Sequence, residues 1–190
     1  MSFTVVYDAC VLYPAPLRDL LLRLAETGVV RARWTEDILD EAFRSIATRR
    51  PDLSRDRLDR TRRMMCAAID DCLVTGYEGL ADHADLPDPD DRHVLAAAVR
   101  CSAQNIVTMN LKDFPSRVLA PLNIEAQHPD TFVLDLLDLA PGLVLTVVQA
   151  QADALRSPPV SLDELLVTLE RNGLMRSVAE MRMAFGLEGT

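Results

Sequence analysis

The chain has 190 residues, of which 49% are hydrophobic and 26% charged, and its formal net charge is -9. These values are typical of one globular core with at most a small appendage. The negative charge argues against sequence-tolerant binding to a nucleic acid duplex, although bound cations could neutralise a local cluster of acids. We recognise no signal peptide and no bilayer-spanning apolar run, so we expect a cytoplasmic protein without a membrane partner.

The four cysteines form no C-x-x-C pair, and each lies in a mostly apolar local sequence. We interpret them as reduced, buried thiols. The three histidines are scattered and lack the spacing of a zinc site, so we expect no zinc.

The first predicted element is a buried strand from Phe3 to Tyr7, which is rich in β-branched and aromatic residues. Asp8 follows directly at its carboxyl end. Pro14 and Pro16 then open a helix that runs to Gly28. Residues 29–34 form a plausible second short strand.

Thr35 is a predicted N-cap for the next helix, whose buried stripe includes Ile38 and Ile46. Glu41 lies beyond the edge of that stripe, roughly a third of a turn from its centre. Such a glutamate either reaches around toward a cleft or is an ordinary surface residue.

A further helix is predicted over about 54–71, within a segment that is rich in arginine. Between positions 44 and 63 stand eight of the twenty basic residues, namely Arg44, Arg49, Arg50, Arg55, Arg57, Arg60, Arg62 and Arg63. One reading is a solvated helix face with internal ion pairs. The other is a surface that holds phosphate or docks an acidic partner. Leu73 to Tyr77 then suggests a strand or an extended connection.

The stretch from Leu86 to Pro115 combines several acids with a helix and a strand. Asp88 can cap a helix that begins at Pro89, and Asp91 occupies the position of a capping-box acid. Residues 106–109 read as a short buried strand, and the polar segment 110–113 leaves its carboxyl end. Because chemistry gathers at the carboxyl ends of parallel strands, we expect Asp91, Asn110 and Asp113 at one edge of a sheet.

A last strand is predicted over 123–126, and the chain from about 134 onward reads as helices only, with a capping box from Ser161 to Glu164. Alternation of strands and helices predicts an α/β fold with a central, mostly parallel sheet. We divide the chain into a domain over 1–135 and a helical C-terminal extension over 136–190, packed on the core.

Acids follow several of these elements, and their convergence would need a physical reason. Two carboxylates about 5 Å apart repel by roughly 3 kcal/mol at an effective dielectric constant near 20. A hard divalent cation relieves that repulsion, and ligands that are all oxygen favour Mg²⁺ or Mn²⁺ over zinc.

Four motifs in their order and spacing, VVYDACVLYP, TEDILDEAFR, DDRHVLAAAV and TMNLKDFP, resemble those of the PIN-domain nucleases over about residues 1–130. The resemblance implies a PIN-like, three-layer α/β/α domain and Mg²⁺- or Mn²⁺-dependent cleavage of RNA. In bacteria, many short proteins of this kind resemble the VapC-type toxin of a toxin–antitoxin pair. The helical C-terminal extension of this chain also resembles one found in a subgroup of these toxins. A cognate antitoxin and a homodimer are further implications.

The resemblance also implies the site residues. Asp8, Glu41, Asp91 and Asp113 match the family acids, with Asp8, Asp91 and Asp113 as metal ligands and Glu41 completing the site or positioning water. Asn110 and Asp90 are further candidate ligands; Asn110 stands where aspartate is frequent, so a second metal site would be weaker. Cys10 stands where the family more often has a small polar residue, whose usual hydrogen bond a thiol need not make. As an RNA-binding set we predict Arg44, Arg60 and Arg63.

Two other functions fit the same motifs. One is a PIN nuclease with a housekeeping role in RNA processing or DNA repair. The other is a catalytically weak PIN fold that serves as a binding or regulatory module, for which Asn110 is the relevant feature.

Overall fold

The computed structural model describes residues 3–187. Its sheet has four strands, all parallel, in the order β2-β1-β3-β4: β1 (Phe3–Tyr7), β2 (Val30–Arg33), β3 (Asn105–Val107) and β4 (Glu125–Gln127). The α/β class and the parallel sheet are therefore confirmed. The chain leaves β1 for β2 on one side and returns to β3 on the other, which makes the carboxyl ends of β1 and β3 a topological switch point.

Six helices accompany these strands: α1 (Ala9–Leu12), α2 (Ala15–Glu26), α3 (Glu36–Arg49), α4 (Arg55–Ala68), α5 (Arg92–Arg100) and α6 (Ser116–Leu119). Single 3-10 turns cover Pro89–Asp91, Leu111–Asp113 and Ala120–Leu122. The Thr35 hydroxyl accepts a hydrogen bond from the Ile38 amide and starts α3 as predicted, and Ser54 caps α4 in the same way.

Four helices follow the sheet: α7 (Pro129–Leu139), α8 (Pro141–Ala154), α9 (Leu162–Arg171) and α10 (Met175–Phe185). The predicted capping box from Ser161 to Glu164 is present at the start of α9. Asp130 of α7 accepts hydrogen bonds from the amides of Arg176 and Ser177, at 3.0 and 2.8 Å, and so satisfies the start of α10. The division that we drew at residue 135 falls inside α7.

The helical extension packs on the sheet through one continuous hydrophobic core. Phe132 of α7 meets the ring of Tyr7 edge-on, with centroids 6.2 Å apart, and Tyr7 in turn lies parallel to the ring of Trp34. Gln151 of α8 donates a hydrogen bond of 2.9 Å to the carbonyl of Pro16 at the start of α2. Within residues 3–187, no helix has both the length and the apolar content to cross a membrane.

One local prediction is wrong. Asp91 makes no capping hydrogen bond, and a 3-10 turn capped by Asp88 precedes the α-helix that was expected to begin at Pro89. Of the two alternatives for Leu73 to Tyr77, the structure has the connection, with a single parallel bridge between Trp34 and Leu73.

Candidate active site

Asp8 stands at the switch point because β1 ends immediately before it. Its side chain is only 3% exposed. One carboxylate oxygen accepts a hydrogen bond of 2.6 Å from the Ala9 amide, which starts α1. The other accepts from the Thr108 hydroxyl at 2.6 Å and from the Cys10 thiol at 3.0 Å. Burial raises the pKa of Asp8 and the charge of Glu41 acts in the same direction, although the hydrogen bonds from Cys10 and Thr108 oppose the increase.

Thr108 was not predicted as a site residue, although the pairing of β1 with β3 would have placed it beside Asp8. Tyr7 and Val107 are partners in the β1–β3 register, so the residues that follow them stand side by side. The Thr108 hydroxyl also accepts a hydrogen bond of 2.9 Å from the Asn110 amide, and Cys10 Sγ accepts one of 3.2 Å from the Met109 amide. Asp8 is therefore oriented by groups that are themselves tied to the end of β3. Cys10 is a free thiol as expected, and it donates to the acid in addition to packing against the core.

A polar cleft of about 540 Å³ opens beside this network. Its walls include every remaining candidate acid and amide of the prediction. The lining residues are Asp37, Asp40, Glu41, Arg44, Asp88, Asp90, Asp91, His93, Asn110 and Asp113. The acids come from α3, from the turn before α5 and from the turn after β3, which the sheet brings together.

Among the acids that line the cleft, Asp91 has a clearly raised pKa. Partial burial, followed by the negative charges of Asp8, Asp88 and Asp113, raises its pKa to about 7. Asp90 next to it is exposed, and its amide is held by Asp88 Oδ1 at 2.9 Å. The carboxylates thus interact electrostatically although they come from separate elements. Asp8 is buried and is not part of the cleft wall, yet its charge reaches Asp91.

Glu41 contacts His93, a residue that the sequence gave no reason to select. The two side chains approach to 3.6 Å between Glu41 Oε2 and His93 Nε2, and 49% of the Glu41 side chain remains exposed. Burial lowers the pKa of His93, but its contact with Glu41 and the negative charges of Asp37 and Asp8 raise it above the ordinary value overall. His93 Nδ1 is buried without a hydrogen-bond partner in the part of the chain that the structure describes.

The predicted RNA-binding arginines do not lie together. Arg44 lines the cleft, whereas Arg60 and Arg63 are exposed on α4 and line neither the cleft nor its neighbours. Arg62 forms ion pairs with Glu36 and Asp40 of α3, so part of the arginine-rich segment is neutralised internally. Arg60 and Arg63 remain predictions without a contact to the site.

A larger cavity of about 720 Å³ lies between α2, α4, α8 and α9. Its walls are mostly apolar and include Met64, Met65 and Leu165 but none of the predicted site residues. Size alone therefore does not identify the site. The smaller cleft carries Asp91 and His93, an acid and an imidazole whose pKa values are both raised, which is the stronger indication of chemistry.

The donor set of the cleft suits a hard divalent cation, because carboxylate and amide oxygens are the ligands that Mg²⁺ and Mn²⁺ prefer. Among residues 3–187, no three His, Cys, Asp or Glu side chains are already placed so that they could hold a metal ion. After burial, the negative charges of Asp8, Asp88 and Asp113 contribute to the raised pKa of Asp91, which a cation would counteract. The residues thus fit such a cation in chemistry and charge, and ligation would require their side chains to turn inward.

Comparison with known proteins gives matches to both parts of the chain. The family described as "PIN domain" matches residues 4–112, which is more than half of the chain, and the family described as "VapC50 C-terminal domain" matches residues 129–183. A protein of Mycobacterium tuberculosis (strain ATCC 25618 / H37Rv), described as "Putative ribonuclease VapC50", is 51% identical over 79 residues. That alignment covers 42% of this chain and 47% of the relative, so it spans about half of the relative's length. No solved structure gives a significant match.

Proposed function

The chain belongs to the PIN-domain family, and from that membership we propose that it is an Mg²⁺- or Mn²⁺-dependent endoribonuclease, the toxin component of a toxin–antitoxin pair. The observation that carries the proposal is the convergence of acids from separate elements on one cleft, beside a buried Asp8. The relative described as a ribonuclease supports RNA as the substrate. The match over residues 129–183 to a family described by the name VapC50 supports the toxin assignment.

Asp8, Asp91 and Asp113 would hold the cation, and Asn110 and Asp90 are within the same cleft for a second or more weakly bound ion. Such a cation supplies charge to offset the developing negative charge on phosphate, and it lowers the cost of deprotonating water. Thr108 and Cys10 keep the Asp8 carboxylate oriented in the absence of the cation. Preorganisation of this kind reduces what must be reordered when the ligand and substrate arrive.

Glu41 lines the cleft, where it would position the attacking water and take its proton. As the water oxygen forms its bond to phosphorus, the ester bond on the opposite side of phosphorus breaks. The water proton goes to the Glu41 carboxylate, and the leaving oxygen takes a proton from solvent. His93, at 3.6 Å from Glu41, holds that carboxylate on the cleft side of α3.

The function is tested with purified protein and a labelled single-stranded RNA. We expect cleavage with Mg²⁺ or Mn²⁺, none in excess chelator, and recovery when the cation is restored. Expression of the chain alone should arrest growth, and a small acidic-segment antitoxin encoded beside it should restore growth. Cleavage that persists in chelator would contradict the metal-dependent reaction, and cleavage without growth arrest would favour a housekeeping nuclease.

A binding or regulatory module is the second candidate, and Asn110 is the observation that favours it, since an amide provides one negative charge fewer than aspartate in the cleft. Calorimetric titration with Mn²⁺ separates the two functions. A nuclease should bind Mn²⁺ at millimolar or lower concentration, whereas a module that only binds partners need not bind it at all.

We predict that Thr108→Val weakens Mn²⁺ binding and lowers kcat by roughly 10- to 100-fold, the usual effect of removing a group that orients a metal ligand. Valine keeps the shape but removes the hydroxyl that donates to Asp8. Thr108→Ser is the matched control, because it retains that hydroxyl and should stay near the parent. Calorimetry and cleavage kinetics are the measurements. A valine variant with the Mn²⁺ affinity of the parent would show that the hydroxyl does not orient Asp8.

A further inference from the structure

A second cavity, of about 450 Å³, adjoins the acidic cleft. The two share Glu41 and Arg44 as a common wall. The remaining polar residues that line the second cavity carry no acid: they are Tyr13, Ser45, Thr48 and Arg49. The volume falls in the range of sites that bind one small molecule, so a single nucleotide would fit whereas a duplex would not.

The charge of α3 reverses along the face that borders both cavities. Glu41, Arg44 and Thr48 recur at intervals of three and four residues, which places them on one side of the helix, and Arg49 follows Thr48 at the border of that side. Glu41 and Arg49 are about 12 Å apart along the axis at 1.5 Å per residue, and Arg44 lies between them. A strand laid along this face would meet a carboxylate at the reaction centre and then two guanidinium groups.

Arg49 is held by an aromatic ring rather than by an acid. Its guanidinium carbon lies 5.2 Å from the centroid of the Tyr13 ring, which is the geometry of a cation–π contact. Tyr13 directly follows α1, the helix that Asp8 caps. Neither Arg44 nor Arg49 has an ion-pair partner within residues 3–187, so both positive charges are available to a ligand.

We propose that this second cavity binds the nucleotide next to the scissile phosphate, an inference that rests on the proposed ribonuclease function. Arg44 and Arg49 bind successive phosphates, since they line the same cavity and are offset by about 7.5 Å along the helix axis. Ser45 and Thr48 present hydroxyl groups to the ribose and the base. Tyr13 keeps the guanidinium of Arg49 in place, so that little order is lost on binding.

The subsite explains how a chain with a net charge of -9 holds RNA at an acidic cleft. The cation compensates the charge only at the reaction centre, and the flanking phosphate needs positive charge of its own. Arg44 and Arg49 provide it immediately beside the centre, whereas the predicted Arg60 and Arg63 lie outside both cavities. Substrate affinity should therefore depend on Arg49 more strongly than on exposed arginines outside both cavities.

The test compares Arg49→Ala with Arg171→Ala, which removes an exposed arginine of α9 that lines neither cavity. We expect Arg49→Ala to raise KM for single-stranded RNA roughly tenfold with little change in kcat, since a charged hydrogen bond is lost before the chemical step. Its salt dependence of binding should fall by about 0.7 in the log–log slope, corresponding to one phosphate contact. Arg171→Ala should change neither quantity.

A second pair of variants tests the role of the ring. Tyr13→Leu should raise KM for RNA nearly as much as Arg49→Ala does. Tyr13→Phe should leave KM near the parent value, because the ring is kept. The combination of Tyr13→Leu with Arg49→Ala should be little worse than Arg49→Ala alone, since the two side chains act as one unit. Full additivity of the two losses would contradict the coupling.

A binding measurement separates failure of this inference from failure of the proposed function. Anisotropy of a labelled single-stranded RNA is measured with Asp8→Asn as the background, so that no cleavage is required. Weaker RNA binding on addition of Arg49→Ala, with Arg171→Ala unchanged, supports the subsite even if the parent does not cleave. Unchanged KM, salt slope and RNA binding in Arg49→Ala would overturn it. Loss of binding only to an acidic peptide would also overturn it, by making the cavity a protein-docking site.

Discussion

Asp8→Asn is expected to reduce RNA cleavage by roughly a thousandfold, the scale on which loss of one charge-stabilising group lowers turnover, while the fold stays intact. Asparagine keeps an oxygen for the Ala9 amide and is as good an N-cap as aspartate, so the start of α1 is preserved. Burial already raises the pKa of Asp8, so removal of its charge should not destabilise the folded state. Cleavage of labelled RNA and the thermal midpoint Tm are the two measurements.

Asp130→Asn is the matched control, because Asp130 is also buried and also holds the start of a helix. We expect this variant to lower Tm, since the Ser177 hydroxyl and two amides of α10 lose a charged acceptor. Its cleavage rate should stay near that of the parent at temperatures where the protein is folded. Undiminished cleavage by Asp8→Asn, with chelator-sensitive cleavage by the parent, would remove Asp8 from the mechanism.

The convergence of the acids was predictable from sequence because it depends on strand ends and parallel pairing. The apolar run Phe3–Tyr7 places Asp8 at the end of β1, and the next polar residues after β3 reach the same edge. Membership in the PIN-domain family, inferred from four motifs, is confirmed by the match over residues 4–112. Both inferences use features that are local in the chain or correlated along it.

Contacts between distant side chains were not predictable in the same way. His93 was considered only when a zinc site was rejected, and its approach to Glu41 depends on how α5 packs beside α3. Asp91 was expected both as a capping-box acid and among the acids at the sheet edge; it lines the cleft, but the capping hydrogen bond is absent. Thr108 lies one residue beyond the ladder between β1 and β3, so its bond to Asp8 follows from the register and not from its neighbours in sequence.

The concentration of acids also implies that the cleft is unfavourable for stability until a cation binds. The metal-free protein keeps Asp91 among like charges, and its pKa is raised from 3.8 to about 7. A group whose pKa is higher in the folded than in the unfolded state stabilises the fold at low pH, and that contribution is lost as the pH rises through the folded-state value. Asp91 should therefore lower the stability of the metal-free protein progressively between about pH 4 and pH 7.

We predict that Asp91→Asn raises Tm of the metal-free protein by a few degrees at pH 7.5 and has little effect at pH 4, where the carboxyl is protonated in either state. The variant should show a correspondingly flatter pH dependence of Tm than the parent. Asp138→Asn, which removes an exposed acid of α7 outside the cleft, is the control. A stabilisation of equal size in the control would assign the effect to net charge rather than to the cleft.

Addition of Mn²⁺ should make the parent more stable than Asp91→Asn, which reverses the order of their Tm values in the metal-free state. A ligand present at a hundredfold excess over its Kd stabilises the fold by about 2.7 kcal/mol, which corresponds to about 5–10 °C in Tm for a chain of this size. Because carboxylates must be deprotonated to bind metal, the gain in the parent should grow over the same pH range in which the metal-free protein weakens. Asp91→Asn should lose most of this gain, and Asp138→Asn should keep it. If Mn²⁺ stabilises Asp91→Asn as much as the parent, Asp91 is not a ligand and the cation is held without it.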